Sequence, residues 1–147
     1  MKIKQCTVKM IKEDIGDYNI TTNKVISPET CDSILQQVTD IHCSTVEKLG
    51  MFSLNTKNEI VGIHTLTIGT VNSSLVSPRD VIQQALLNNA SAIILWHNHP
   101  SGDTMPSQDD IRTTSRIKEA CKIMDIKLLD HLIVGDILYS MNEHGYV

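Results

Sequence analysis

Apolar positions along the chain recur with two periods, every second residue in some stretches and every three to four in others, and these divide it into strands and helices. Residues 2–11 alternate loosely, with Cys6, Val8 and Met10 on one side and Thr7 and Lys9 on the other, which predicts a strand. The following "GDYNITTNK" reads as loop. In "SPETCDSILQQVTDI", Ser27 stands as an N-cap and Pro28 at the first helical position. Cys31, Ile34, Leu35, Val38 and Ile41 follow at helical spacing and predict an amphipathic helix. Residues 46–54 and 60–71 are rich in β-branched and apolar residues and flank the turn formers "NTKNE", which predicts a hairpin.

The second half repeats these signals. "SPRDVIQQALLNNA" opens with Ser77, Pro78 and Asp80 and sets Val81, Ile82, Ala85 and Leu86 on one face, predicting a second helix. "SAIILW" is continuously apolar, as expected of a strand covered on both faces, and His97 to Pro100 end it. A third helix is expected from about Ser107, with Ile111, Thr114, Ile117, Cys121 and Met124 along its inner stripe. "IKLLDHLIVG" and "ILYSM" read as two closing strands, with Gly135 and Asp136 as the turn between them. The fold class expected is mixed α/β (α+β), a single mixed sheet flanked by helices, with no internal repeat.

Composition narrows the setting. A chain of 147 residues, 41% of them apolar, suits one domain over residues 1–147 around one well-buried core. Its net charge of −4 opposes a broad phosphate-binding surface, so nucleic acid is a weak expectation as a partner, though not an excluded one. Cys6, Cys31, Cys43 and Cys121 have no C-x-x-C spacing and read as reduced core residues of a cytoplasmic protein. "MKIKQCTVKMIKED" lacks a continuous apolar run, and no segment approaches the ~20 apolar residues of a membrane span, so no membrane association is expected.

The chemistry concentrates in "WHNHPSGDTMPSQDD". Residues i and i+2 of a strand project from one face about 6.5 to 7 Å apart, so His97 and His99 can converge on one ion while Trp96 and Asn98 face the other way. Imidazole nitrogens suit Zn²⁺, and a catalytic zinc site takes three protein ligands and leaves a position for water. Asp110, on the first turn of the next helix, is placed to return a carboxylate to that ion. Ser107 and Asp110 also form an S-x-x-D capping box, which needs no metal at all.

His97, His99, Ser107 and Asp110 match, position by position, the H-x-H, seven residues, Ser, two residues, Asp motif of JAMM (MPN+) metalloproteases, and the chain resembles that group. "HNHPSGDTMPSQDD", "SPRDVIQQALLNNASAIIL" and "LLDHLIVGD" look like the RadC family, the JAB domain of RadC type, over residues 45–147. That resemblance implies a JAMM/MPN layout, shared in outline with cytidine deaminases, although the H-x-E and P-C-x-x-C of deaminases are absent here. The contiguous "HNH" does not have the separated residues of HNH nucleases.

The resemblance further implies a zinc metallopeptidase in which His97, His99 and Asp110 hold Zn²⁺ and a metal-activated water hydrolyses a peptide or isopeptide bond. Aligning "EKLGMFSLNTKN" with the family's hairpin makes Glu47 the general base, and Ser107 the donor to the oxyanion. A peptide or ubiquitin-like protein is the implied substrate. Two other readings stand beside it: a non-catalytic MPN-type scaffold, and a RadC-like DNA-repair accessory. Acidic balance counts against the latter, as do residues 1–44, read as a strand and a helix without the helix-hairpin-helix pattern usual in full-length RadC proteins. Of Asp130 and His131, one is placed to support a metal ligand from behind, or to make an ordinary cross-strand or capping contact. His42, His64 and His144 read as surface or packed groups, and Asp103 and Asp109 are out of the S-x-x-D register.

Overall fold

The computed structural model describes residues 18, 20, 22–69 and 76–147; the strand expected at 2–11 lies outside them. Helix α1 spans Pro28–Val38, with the Ser27 side chain accepting from the Thr30 N–H as expected of its N-cap. It ends earlier than its apolar spacing suggests. Thr39 is extended and its hydroxyl donates to the Leu35 carbonyl at 2.7 Å, so Ile41 reaches the core from a separate 3₁₀ turn, Ile41–Cys43. Cys43 on that turn is exposed, unlike the buried Cys31 and Cys121, which corrects the expectation that it is a core residue.

Strands β1 (Lys48–Leu54) and β2 (Ile60–Ile68) form the expected antiparallel hairpin. Val46 lies before β1 and is 41% exposed, because the chain joins the ladder only at Lys48. Helix α2 (Pro78–Leu87) buries Val81 and Ala85, whereas Leu86 is 53% exposed, one position beyond the contact stripe. Strand β3 (Ala92–Asn98) is buried along its whole length. Helix α3 (Gln108–Ile123) leads to β4 (Lys127–Val134) and β5 (Leu138–Ser140), with Ile137 exposed beside the Gly135–Asp136 turn. The sheet runs β2-β1-β3-β4-β5 and is mixed: β3 and β4 are parallel, the other neighbours antiparallel.

Alternation along β3 assigns two cores. Ala92, Ile94 and Trp96 join Phe52, Leu54, Leu132 and Val134 beneath Cys31, Ile34 and Leu35 of α1. Ile93 and Leu95 join Leu49 and Met51 under Val81 and Ala85 of α2 and Ile117 and Cys121 of α3. Gly50 stands opposite Trp96, and a Cβ there would collide with the indole and the His64 carbonyl, so only glycine admits this ring. The inward residues of α3 are Asp110, Thr113, Thr114, Ile117 and Cys121. Ile111 is only partly buried and Met124 is 41% exposed, because the helix is turned to bring the polar Asp110 and Thr114 inward. No helix of the described residues is long and apolar enough to cross a membrane.

Candidate metal centre

His97 continues the parity of Ile93 and Leu95, so its ring enters the α3 side of the sheet and is fully buried. His99 follows the last strand residue, its N–H still on the Val134 carbonyl at 2.9 Å. The chain then turns sharply. Gly102 has φ +84° and donates to the His99 carbonyl, while its own carbonyl accepts from Asp136 N–H at 3.0 Å. That backbone angle favours glycine, and a Cβ on Gly102 would also have to displace the exposed Asp136 carboxylate, whose Oδ1 would lie 2.7 Å from it. The loop after His99 is thereby fixed to the β4–β5 turn, and it delivers Ser107 as the N-cap of α3.

That cap is a complete capping box. Asp110 N–H donates to Ser107 Oγ at 3.1 Å, while Asp110 Oδ2 accepts from Ser107 N–H at 2.8 Å and from Ser107 Oγ at 2.6 Å. The carboxylate is only 2% exposed and also faces the histidines, with Oδ1 3.4 Å from His97 Nε2 and Oδ2 3.4 Å from His99 Nε2. One ligand atom from each of His97, His99 and Asp110 lies within 4.8 Å of the others, a group that could hold a metal ion. Capping and ligation, two readings of one motif, are compatible here.

Hydrogen bonding behind the rings fixes their tautomers. His99 Nδ1 lies 2.6 Å from the Asp103 carbonyl, which can only accept, so Nδ1 carries the proton. Behind His97 runs a longer chain. Thr114 Oγ1 donates to the Asp110 carbonyl at 2.6 Å; His131 Nδ1–H donates to that hydroxyl at 2.7 Å; and His131 Nε2 accepts from His97 Nδ1–H at 2.8 Å. In neutral imidazoles this leaves lone pairs on His97 Nε2 and His99 Nε2, only 3.0 Å apart. Two acceptors at that separation beside a carboxylate require a positive charge between them, whether a proton or a metal ion.

The titration directions agree. Burial pushes the Asp110 carboxyl up, but hydrogen bonds from His97, His99 and Ser107 and the charge of His97 reverse this and hold it well below the usual carboxylate range. The Asp110 hydrogen bond raises His99, against its partial burial. His131 is driven well down by complete burial and by His97, so it stands neutral, as the tautomer chain requires. Glu47, half-buried one residue before β1, is raised mainly by burial, lowered in part by His97 and His99 and pushed further up by Asp110. Its carboxyl therefore feels all three residues of the cluster. Gly69 N–H holds the Glu47 carbonyl at 2.8 Å.

Of Asp130 and His131, it is His131 that stands behind a candidate ligand. Asp130 points to the α1 side and accepts from His131 N–H, Ser140 Oγ and Asn142 N–H, tying β4 to β5 and the segment beyond. Thr114 was legible only as an inner-stripe residue, and nothing in its spacing marks the bond to His131. The other histidines are ordinary: His42 pairs with Asp32 at 3.0 Å, His64 meets Asn88, and His144 stacks on Tyr139.

The family model of the RadC-like JAB domain matches residues 25–146. The chain belongs to this family. Its match takes in α1 as well as the expected stretch from residue 45, and the five-stranded mixed sheet and three helices of the described residues are consistent with a JAB/MPN fold. Among relatives, a UPF0758 protein of Caldanaerobacter subterraneus subsp. tengcongensis is 44% identical over 123 residues, covering 83% of this chain and 52% of that one. A UPF0758 protein of Alkaliphilus metalliredigens is 42% identical over 121 residues, 82% of this chain and 51% of its own. One from Bacillus pumilus is 39% identical over 131 residues, 88% and 58% respectively. The chain thus spans about half the length of these RadC-family relatives.

Proposed function

We propose that this RadC-like JAB domain is a zinc-dependent hydrolase of peptide or isopeptide bonds, working in the cytoplasm on a peptide or ubiquitin-like protein. The observation that carries the reading is the pair of Nε2 atoms 3.0 Å apart with a buried carboxylate beside both. Two neutral imidazoles and one carboxylate are the donor set of a catalytic zinc, which leaves a position for water. Bound there, Zn²⁺ would supply Lewis-acid chemistry, lowering the pKa of water toward ~7 and polarising the scissile carbonyl.

In this reading the chain's own residues do the rest. Glu47, its carboxyl raised by burial, takes the proton of the attacking water and passes it to the leaving amine. Ser107 turns its hydroxyl proton from Asp110 to the developing oxyanion, an effect typically worth ~3 kcal/mol. Its backbone N–H keeps Asp110 Oδ2 in place meanwhile. Burial pushes the Cys31 thiol up to about 12 and Cys121 to about 11, so both are inert core thiols in keeping with a reducing compartment.

Elemental mass spectrometry and hydrolysis assays on a panel of peptide and lysine-isopeptide substrates, run on the parent and Glu47→Ala, test the proposal. The expected outcome is about one zinc per chain in both proteins, with turnover falling at least ~100-fold in the variant. A parent that takes up no zinc when zinc is supplied would sink the hydrolase and leave a scaffold; an active Glu47→Ala would move the base elsewhere.

A further inference from the structure

We infer that Asn98, the residue between the two histidines, is a positioning residue that clamps the segment carrying Glu47. The inference rests on the proposed role of Glu47 and goes beyond it. Asn98 faces the α1 side, away from the ion, and is only 3% exposed, so its amide must find partners within the protein. It finds three. Oδ1 accepts from Lys48 N–H at 2.8 Å, and Nδ2 donates to the Val46 carbonyl at 3.2 Å and the Ser44 carbonyl at 3.4 Å. Lys48 N–H can only donate and the two carbonyls can only accept, so the amide's orientation is settled by its surroundings.

The pairing of β1 with β3 ends at Leu49 opposite His97. Beyond it, the Asn98 side chain stands in for the next peptide group and holds residues 44–48 against the end of β3. Val46 and Lys48, the two neighbours of Glu47, are each bound by it. Gly69 N–H secures Glu47 from the β2 side. Leu49 and Met51 share the face of β3 that carries His97, and Glu47 continues their parity, which turns its carboxyl toward the cluster it feels electrostatically. One strand end therefore sets two placements together: the His97 and His99 rings on one face and, through Asn98 on the other, the backbone that carries the proposed general base.

Asn98→Ala and Asn98→Asp test this, each in the parent and in Glu47→Ala, with zinc content, amide hydrogen exchange and steady-state kinetics as readouts. Zinc content is expected to be unchanged, since Asn98 is no ligand. Exchange at Lys48 N–H should quicken in Asn98→Ala while the β3–β4 core stays protected. Misplacing the base should lower kcat by roughly 10- to 100-fold with KM little changed. Asn98→Asp keeps the acceptor for Lys48 but no donor, so its losses should fall between. If Asn98 acts through Glu47, its removal adds no further loss in the Glu47→Ala background. Equal losses in both backgrounds, or unchanged exchange at Lys48, would overturn the clamp. A zinc-loaded parent without hydrolysis would refute the hydrolase instead, and exchange at Lys48 would then decide the clamp alone.

Discussion

Helices α2 and α3 open on the same pattern, a serine followed three residues later by an aspartate, and do different things with it. At α2, Asp80 N–H donates to Ser77 Oγ at 3.3 Å and Ser77 Oγ donates to Asp80 Oδ2 at 2.8 Å, with the carboxylate in solvent. At α3 the corresponding distances are 3.1 and 2.6 Å, yet Asp110 is buried and faces two imidazoles. The side-chain bonds are nearly identical, and α3 adds the one from Ser107 N–H to Asp110 Oδ2 that closes its box. What separates the two is what each carboxylate meets: the loop after His99 brings Asp110 to His97 and His99, whereas among the described residues no histidine pair meets Asp80. A cap fixes a carboxylate in space, and the tertiary structure decides whether that carboxylate becomes a ligand.

The sharpest way to break the comparison is to remove one charge from each helix start while leaving a capping oxygen. Asp110→Asn should abolish zinc retention through gel filtration, and Asp80→Asn should leave the zinc content as in the parent; equal zinc in both would reduce Asp110 to a second Asp80. Next comes the support behind the cluster, which α2 has no counterpart for. His131→Phe keeps an aromatic ring, somewhat larger, but leaves His97 Nδ1–H without its acceptor, and zinc affinity should fall on the order of 10- to 100-fold in competition with a chelator. The smallest effect is graded with pH. His99 is raised, so without metal it keeps its proton to above 6.5, whereas ligation needs the neutral ring. Zinc affinity should therefore fall with acidification beginning above pH 6.5, on the order of tenfold per pH unit for each proton displaced, and level off above the raised value. A flat affinity between pH 5.5 and 7.5 would contradict this direction.

Much of this was legible because local signals and the final fold agree. Serine caps, prolines at the first helical turn and the apolar run of β3 each act within a few residues, and so does the H-x-H to S-x-x-D spacing. Misplaced residues have a common cause. Ile111 and Met124 read as core residues of α3 because an apolar stripe is the usual inner face; Thr114 does lie on that face, but it is shared by Asp110, which a hydrophobic pattern scores as outward. Leu86 and Val46 lie just past contacts that only the assembled sheet defines. Asn98 escaped because its bond reaches a residue 50 positions away, beyond any periodicity, and the choice between Asp130 and His131 stayed open in the sequence because the bond that decides it spans 34 positions.

The reciprocal bonds between Ser107 and Asp110 give the domain a history as well as a geometry. In zinc fingers, binding the ion and folding the chain are a single event. Here the helix start holds itself together with hydrogen bonds among its own atoms, so the carboxylate is aimed before any ion arrives. On the proposed reading, loading would be a late step in the life of an already folded protein, and stripping the ion an event the fold should survive and reverse.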